Sequence, residues 1–167
     1  MSLPGQRVQP QRYTVLPRTL TFLTRPGQVL LMCIPPGRGA WAGLYNGLGG
    51  HIEQGEDPLT SARREVSEET GLSPEHLRLS GVVLVDTGSK PGIGLYVYTG
   101  ELPDGIVRSG PEGSAEWVNT ADLDHLPLVE DLPVLLDRIL SLKPDTAAFS
   151  AVYSYDAQGR LGIHFGE

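Results

Sequence analysis

The segment from Gly50 to Leu72, with the sequence GHIEQGEDPLTSARREVSEETGL, constrains the fold of this chain more than any other stretch. Asp57 is a favourable N-cap residue, Pro58 suits the first helical position, and Gly71 is typical of the residue that ends a helix. These signals predict a helix over 58–70. Its apolar side chains recur at helical spacing and should face a core; they are Leu59, Ala62 and Val66.

Three glutamates share one face of this predicted helix, because Glu65, Glu68 and Glu69 stand at positions i, i+3 and i+4. Like charges at this spacing repel by about a few tenths of a kcal/mol per pair, and the C-terminal half of a helix disfavours anions. Arg64 precedes Glu68 by four residues and can pair with it. A bound Mg²⁺ or Mn²⁺ would remove the repulsion, since hard cations prefer carboxylate oxygens. A solvated acidic face is the simpler alternative.

Glycines dominate the loop that precedes the helix. Gly47, Gly49, Gly50 and Gly55 let the backbone approach a ligand closely, and exposed carbonyls there could complete a metal site. Glu56 lies just before the helix and can reach back from its loop. The loop and the helix therefore form one candidate site.

The rest of the chain is typical of short strands arranged around two helices. Strands are expected over 13–24, 29–34, 79–86, 94–100, 116–119, 150–155 and 160–165, with a single helical turn over 120–126. A second helix is expected over 131–142, with an apolar stripe of Leu132, Leu135, Leu136, Ile139 and Leu140. This order favours an α+β fold or an α/β/α sandwich.

Length and composition indicate one folded domain. The chain has 167 residues, 40% of them hydrophobic, and a formal net charge of −7. Residues 1–12 are polar and Pro-rich, which predicts a flexible lead-in to a single domain over 13–167. The lack of a basic stripe argues against nucleic-acid binding, and no apolar stretch or leader predicts membrane insertion or secretion.

The single cysteine, Cys33, cannot form an internal disulfide, so a reducing, cytoplasmic setting is expected. Cys33 lies in an apolar run. A buried core thiol is therefore a simpler interpretation than a catalytic cysteine.

Gly50, Glu56 and the run from Arg64 to Leu72 fit the pattern G-x5-E-x7-R-E-U-x-E-E-x-G-U, where U is a bulky aliphatic residue. This segment resembles the signature of the Nudix hydrolase family, with every fixed position filled. The resemblance implies an α/β fold of the Nudix type, an α/β/α sandwich with a mixed sheet between two main helices. It also implies divalent-metal-dependent hydrolysis of a nucleoside diphosphate linked to another moiety, X.

The resemblance also assigns roles by motif position. It makes Glu68 and Glu69 metal ligands, and it makes Glu65 a metal ligand or the general base. Arg64 would hold the carboxylates in place, and Glu56 would support the geometry between loop and helix.

Other assignments complete the implied metal site. Gly50 would offer its carbonyl to the metal. Glu65 is the first choice for the residue that accepts a proton from water. Glu112 is the second choice, and a further metal ligand, because it lies shortly before Trp117 in a loop where many relatives carry a glutamate. A solvated loop residue is the alternative for Glu112, and Glu116 is a weaker candidate for the base.

The segment LYNGLGG over 44–50 resembles the corresponding segment of the 8-oxo-dGTP diphosphatase-like, mutator-protein branch. Asn46 would then read a purine edge, with a simple turn residue as the alternative. His51 could contact phosphate or be merely exposed. Three aromatic side chains could stack on a base: Tyr45, Trp41 and Trp117, although a core position is the simpler interpretation of Trp117.

The chain departs from that branch after Trp117, where no acidic pair matches the base-reading aspartates of the animal enzymes; Asn119 and Asp122 are approximate candidates. The expected reaction is Mg²⁺-dependent hydrolysis of a nucleoside triphosphate, oxidised purine nucleotides included, to the monophosphate and pyrophosphate. The alternatives are hydrolysis of ADP-ribose, a nucleotide sugar or a dinucleoside polyphosphate, and a non-catalytic nucleotide-binding module. The expected assembly is a monomer or a homodimer.

Overall fold

The structure, a computed structural model, describes residues 11–102, 105–108, 110 and 113–166. The lead-in expected over 1–12 therefore falls almost wholly outside the described residues. The α-helices are α1 (Pro58–Thr70) and α2 (Leu132–Leu140), and short 3₁₀ helices span Gly39–Trp41 and Thr120–His125. The strands are β1 (Val15–Arg25), β2 (Gln28–Cys33), β3 (Tyr45–Asn46), β4 (Arg78–Asp86), β5 (Gly92–Glu101), β6 (Ser114–Asn119), β7 (Phe149–Tyr155) and β8 (Leu161–Phe165).

The strands form one mixed sheet in the order β3-β2-β1-β5-β4-β7-β8, with β6 paired to β2. The β1–β5 and β4–β7 pairs are parallel, whereas the β1–β2, β4–β5 and β7–β8 pairs are antiparallel. The expectation of a mixed sheet is confirmed.

The two faces of the sheet carry separate cores, because successive side chains of a strand point to opposite sides. On β1, Leu20 and Phe22 belong to the cluster that holds α2, whereas Leu23 belongs to the cluster that holds Val66 of α1. The sheet is therefore sandwiched between the two helices, as the α/β/α prediction states.

Local signals set the ends of α1 as predicted. The Asp57 side chain accepts hydrogen bonds from the amides of Leu59 and Thr60 at 2.9 and 3.1 Å. Gly71 takes the left-handed conformation, with φ of 72°, and its amide donates to the Ser67 carbonyl at 2.9 Å. The helix begins and ends at the predicted residues.

Three details differ from expectation. The second helix ends at Leu140, and the Leu140 side chain is exposed because it lies at the end of the helix and off its buried face. The short strand β3 was not predicted, since its two residues pair with the end of β2 and carry no local strand signal. Cys33 is only half-buried, because it is the last residue of β2. Within the described ranges, no helix is both long and apolar enough to cross a membrane.

Candidate active site

The glycine-rich loop is built into the sheet beside β1. Strands β1 and β2 pair only next to their turn, and β2 then pairs with β6 along its whole length. Residues 48–51 lie beside the first half of β1 instead. The Thr21 amide donates to the Leu48 carbonyl at 2.6 Å, and the Thr19 amide donates to the Gly50 carbonyl at 2.9 Å. The loop is thereby fixed in the plane of the sheet, with the Leu48 side chain in the core cluster on the α1 side.

Two glycines allow the helix carboxylates to lie directly against this loop. The Gly49 amide donates to Oε2 of Glu69 at 2.9 Å, and a Cβ at Gly49 would overlap the carbonyl oxygen of Thr19. A Cβ at Gly50 would lie 2.6 Å from Oε1 of Glu65. Glu65 and Glu69 are only 8% and 6% exposed. Only glycine fits at these two positions without displacing the backbone or a carboxylate.

Arg64 braces the site through its whole guanidinium group. Its Nε and Nη2 donate to the two carboxylate oxygens of Glu56 at 2.7 and 2.9 Å. Its Nη1 donates to Glu65 at 2.9 Å and to Glu68 at 3.2 Å, and its Nη2 also reaches the His51 carbonyl at 3.1 Å. One side chain therefore joins the loop to the glutamate face of α1, and the predicted pair with Glu68 is confirmed.

The Arg64 hydrogen bonds, together with the Glu53 amide, lower the pKa of Glu56 to about 2. Glu56 is thus ionised over the whole neutral range. Because a fixed carboxylate holds Arg64 in one orientation, Arg64 in turn presents Glu65 and Glu68 in a defined arrangement.

The structure changes the electrostatic argument from the sequence. Arg64 offsets the charges of Glu65 and Glu68, and the Gly49 amide stabilises Glu69, so a dication is not the sole relief of their repulsion. Among residues 11–102, 105–108, 110 and 113–166, no three His, Cys, Asp or Glu side chains converge on a ready metal position.

The donor set nevertheless fits a hard dication. It consists of carboxylate oxygens on one helix face, two of them belonging to buried side chains against a backbone loop, while Glu68 remains 61% exposed. The Gly50 carbonyl already accepts the Thr19 amide, so it would bind a metal through its second lone pair. Glu112 lies outside the described residues.

A cleft of about 260 Å³ opens beside the glycine loop, on the α2 side of the sheet. Gly49 and Gly50 line one end of it. The other lining residues include Arg18, Trp41, Asn46, Asp131 and Tyr153. The cleft therefore leads from the loop that contacts the carboxylates to a partly apolar pocket of a size suited to a planar ring.

Asp131 is a cleft residue that sequence reasoning interpreted only as the start of α2. It occupies the N-cap position of that helix but makes no side-chain capping bond. Burial raises the pKa of its carboxyl above the ordinary value. An Asp before a predicted helix is normally a cap, so the sequence carried no local signal of this second role.

Asn46 and Trp41, both predicted as base contacts, do line the cleft. The Asn46 Oδ1 accepts the amide of Gly47 at 2.8 Å, which fixes the side chain in place and leaves its NH₂ group as a donor. His51 is exposed, and its Nε2 accepts from Arg18, whose Nε lies 3.1 Å away. Arg18, which lines the cleft, is thus hydrogen-bonded to a histidine that does not line it.

Tyr45 does not line the cleft. Its hydroxyl donates to Glu116 at 3.1 Å, and its ring packs against the core cluster of α2. Burial and the Glu116 carboxylate raise the Tyr45 pKa to about 12. Tyr45 and Glu116 are thus partners of one another in the structure.

Trp117 packs against the α1-side cluster, and the Arg25 guanidinium lies 4.2 Å from its ring centre. It faces away from the cleft because alternate residues of β6 point to opposite faces. Asn119 donates to Asp122 at 3.0 Å, and neither residue lines the cleft.

A larger groove of about 860 Å³ lies at the opposite end of the sheet, where Arg25, Arg78 and Glu101 are among its lining residues. It contains none of the signature carboxylates. We therefore assign the chemistry to the smaller cleft, because that cleft adjoins the loop against which Glu65 and Glu69 pack.

An α/β/α sandwich that packs a glycine loop against the glutamate face of a helix is the architecture of the Nudix class of hydrolases. The family model described as "NUDIX domain" matches residues 16–139, and the chain belongs to this family. It is accordingly a Nudix pyrophosphohydrolase.

Known proteins resemble it as follows. It is 30% identical over 116 residues to the oxidized purine nucleoside triphosphate hydrolase of Mus musculus, covering 69% of this chain and 71% of the relative. The fold matches a MutT protein from Bacillus halodurans with a TM-score of 0.75 and 23% identity, covering 90% and 97% of the two chains. It also matches the NUDIX domain of Shewanella oneidensis NrtR, solved with ADP ribose, with a TM-score of 0.67 and 19% identity, covering 80% and 92%.

Proposed function

We propose that this protein hydrolyses a nucleoside triphosphate, oxidised purine nucleotides included, to the monophosphate and pyrophosphate with the help of Mg²⁺. The observation that carries the proposal is the continuity of the cleft with the glycine loop, since Asn46, Asp131 and Gly49–Gly50 line one cavity. A base held at the Asn46 end would direct its phosphates toward the carboxylate face. The similarity to an oxidized purine nucleoside triphosphate hydrolase supports the same substrate class.

We assign base recognition to Asn46 and Asp131. The Asn46 NH₂ group can donate to a ring nitrogen or carbonyl, and the Asp131 carboxyl can bond to an N–H of the base. The exposed Trp41 ring in the same wall supplies a surface on which a base can stack. Asp131 would thus take the role of a base-reading aspartate, for which Asn119 and Asp122 were the approximate candidates in the sequence.

Phosphate binding by an acidic protein needs local positive charge. Arg18 lines the cleft and offers donors there, and its partner His51 directly follows Gly50 in the loop. Glu68 and Glu69, with the Gly50 carbonyl, would hold the metal, and Glu65 would be either a further ligand or the general base. A bound Mg²⁺ would supply charge neutralisation for the phosphates and a more acidic water.

The chain itself would position and deprotonate the attacking water. As the general base, Glu65 would take one proton while the water oxygen forms a bond to phosphorus. The anhydride linkage between the α- and β-phosphates breaks, so that the nucleoside monophosphate and pyrophosphate are released. Glu112 is the second candidate for this role. Arg64 keeps the carboxylates oriented, because it is itself fixed by Glu56.

A substrate panel with Mg²⁺ tests the proposal. Pyrophosphate released from a nucleoside triphosphate supports it. If the enzyme instead releases a sugar phosphate or a mononucleotide from ADP-ribose, a nucleotide sugar or a dinucleoside polyphosphate, the proposed triphosphate hydrolysis is wrong and hydrolysis of that compound is the activity. If the protein binds nucleotides but turns over none of these compounds, it is a nucleotide-binding module and the proposed hydrolysis is wrong.

Glu69→Gln tests the carboxylate assignment. The Gln side-chain oxygen can still accept the Gly49 amide, so the fold should persist while kcat falls by about two or more orders of magnitude. Glu101→Gln, an exposed glutamate at the other end of the sheet, is the matched control and should keep normal turnover. A near-normal rate for Glu69→Gln would refute the assigned role.

We also propose a cytoplasmic protein that is a monomer or a homodimer and binds no nucleic acid. The lone, half-buried Cys33 and the net charge of −7 support these assignments. Light scattering after gel filtration measures the assembly, and a salt-dependent shift with duplex DNA would contradict the last assignment.

A further inference from the structure

Arg18 is the one basic side chain among the described residues that line the cleft. It is half-buried near the start of β1, and Gly49 and Gly50 line the same cleft. The chain is acidic overall, and the glutamates of α1 pack against the same loop. The attraction of an anion into this cleft therefore depends on where the Arg18 guanidinium is held.

The backbone places His51 directly opposite Arg18. The Thr19 amide donates to the Gly50 carbonyl at 2.9 Å, and the Ile52 amide donates to the Pro17 carbonyl at 3.1 Å. Arg18 and His51 form the antiparallel bridge between these two bonds. In this type of pair the opposing side chains approach one another most closely.

The His51 ring holds the Arg18 guanidinium through two hydrogen bonds. Nε and Nη2 of Arg18 lie 3.1 and 2.9 Å from Nε2 of His51. A guanidinium group can only donate, so Nε2 is the acceptor and the ring proton lies on Nδ1. Two donors on one acceptor fix the plane of the guanidinium as well as its position.

The backbone of His51 is fixed to the carboxylate helix. Its carbonyl accepts hydrogen bonds from Nη2 of Arg64 at 3.1 Å and from the Ser61 hydroxyl at 3.3 Å. Both donors belong to α1. His51 therefore connects the arginine that braces the carboxylates to the arginine that lines the cleft.

We propose that His51 is a positioning residue, which holds the Arg18 guanidinium in the cleft so that Arg18 binds the phosphate chain of the nucleotide. This inference rests on the proposed function and deepens it, because it names the residue that fixes the phosphate contact. The guanidinium gives two of its five N–H groups to His51, and the other three have no acceptor among the described residues. A guanidinium that is already ordered loses less conformational entropy when phosphate binds.

Calorimetric titration with GTP in EDTA measures this contact without turnover. Arg18→Gln should bind GTP about tenfold more weakly than wild type, because it loses charge-assisted hydrogen bonds to phosphate. His51→Ala should bind about fivefold more weakly, because the ligand must then order Arg18. The double variant should bind no more weakly than Arg18→Gln, since His51 acts only through Arg18. Melting temperatures should change little, because His51 is exposed.

Two further substitutions separate this role from a direct contact between residue 51 and phosphate. His51→Gln keeps an acceptor at about the place of Nε2, so it should recover most of the affinity that His51→Ala loses. His51→Lys removes the acceptor and adds a cation that repels Arg18, so GTP binding should weaken about fivefold or more. If residue 51 contacted phosphate directly, His51→Lys would bind GTP at least as tightly as wild type.

His164→Ala and His164→Lys are the matched controls. His164 is an exposed histidine on β8, and it does not line the cleft. The same changes of size and charge at this position should leave GTP binding as it is in wild type.

The inference is overturned if Arg18→Gln or His51→Ala binds GTP normally, if the double variant binds more weakly than Arg18→Gln, or if His51→Lys binds as tightly as wild type. The proposed function survives each of these results when the substrate panel still releases pyrophosphate from a nucleoside triphosphate. GTP binding that depends on both residues, in a protein that releases no pyrophosphate, overturns the proposed function alone. If the wild type neither binds GTP nor hydrolyses any nucleoside triphosphate, both are wrong.

Discussion

Substitution of Gly49 tests the central packing feature of the site, the close approach of the glycine loop to β1. An alanine Cβ there would overlap the backbone carbonyl oxygen of Thr19, which cannot rotate away as a flexible side chain can. Gly49 also has a φ of 141°, which L-residues with a side chain rarely adopt. The substitution therefore combines backbone strain with a steric clash inside the sheet.

Gly55 separates these two contributions. Its φ is 92°, and a Cβ there would meet no atom within 4 Å. Gly55→Ala should accordingly cost only the conformational strain, about 1–2 kcal/mol. Gly49→Ala adds an overpacking cost of about 1–3 kcal/mol, because β1 or the loop must shift. We expect a total loss of about 2–5 kcal/mol, a large part of the ~5–15 kcal/mol that stabilises a typical domain.

Urea denaturation of both variants, followed by circular dichroism, measures the two losses in the free energy of unfolding. The variants should differ by about 1–3 kcal/mol. If Gly49→Ala destabilises no more than Gly55→Ala, the loop does not press against β1 as described. The explanation for glycine at position 49 would then be wrong.

Two further predictions concern the contacts of Gly50 and Arg64 with nearby glutamates. Gly50 does not have a positive φ, so Gly50→Ala should not strain the backbone, and melting temperature should change little. The new Cβ would displace the Glu65 carboxylate, so kcat should fall about tenfold or more. Normal turnover would contradict this prediction. Arg64→Met should destabilise the fold at neutral pH. Because Arg64 lowers the Glu56 pKa from 4.5 to about 2, this ion pair stabilises the fold above pH 4.5 and is lost as pH falls toward 2. The difference in the free energy of unfolding between wild type and variant should therefore become smaller between pH 4.5 and 2, as measured by denaturation at a series of pH values. A difference that does not depend on pH would count against the ion pair.

Much of the fold was predictable because its signals are local. Asp57, Pro58 and Gly71 set both ends of α1 through capping and backbone conformation, and runs of β-branched, aromatic and other apolar residues indicated the strands. The strand β3 and the exposed Leu140 were not predicted. Their positions depend on which element packs beside them, which periodicity does not specify.

The candidate site also has features that the sequence predicted and features that it could not predict. The pair of Arg64 with Glu68 followed from helical spacing, and the glycine loop was correctly associated with close backbone approach. The sequence could not show that Tyr45 binds Glu116 or that Trp117 faces away from the cleft, since both depend on which side of the sheet a residue occupies.

The sequence by itself determined the carboxylate helix and its loop, because the twenty-three residues from Gly50 to Leu72 contain both the caps and the charged face. Only the tertiary structure decided which residues line the cleft beside this loop. Asn46, Asp131 and Tyr153 lie far apart along the chain, and they meet because the sheet brings β3, the start of α2 and β7 to one cavity. Catalytic chemistry could be read from a contiguous motif, whereas the specificity of the pocket depends on long-range packing that no local pattern records.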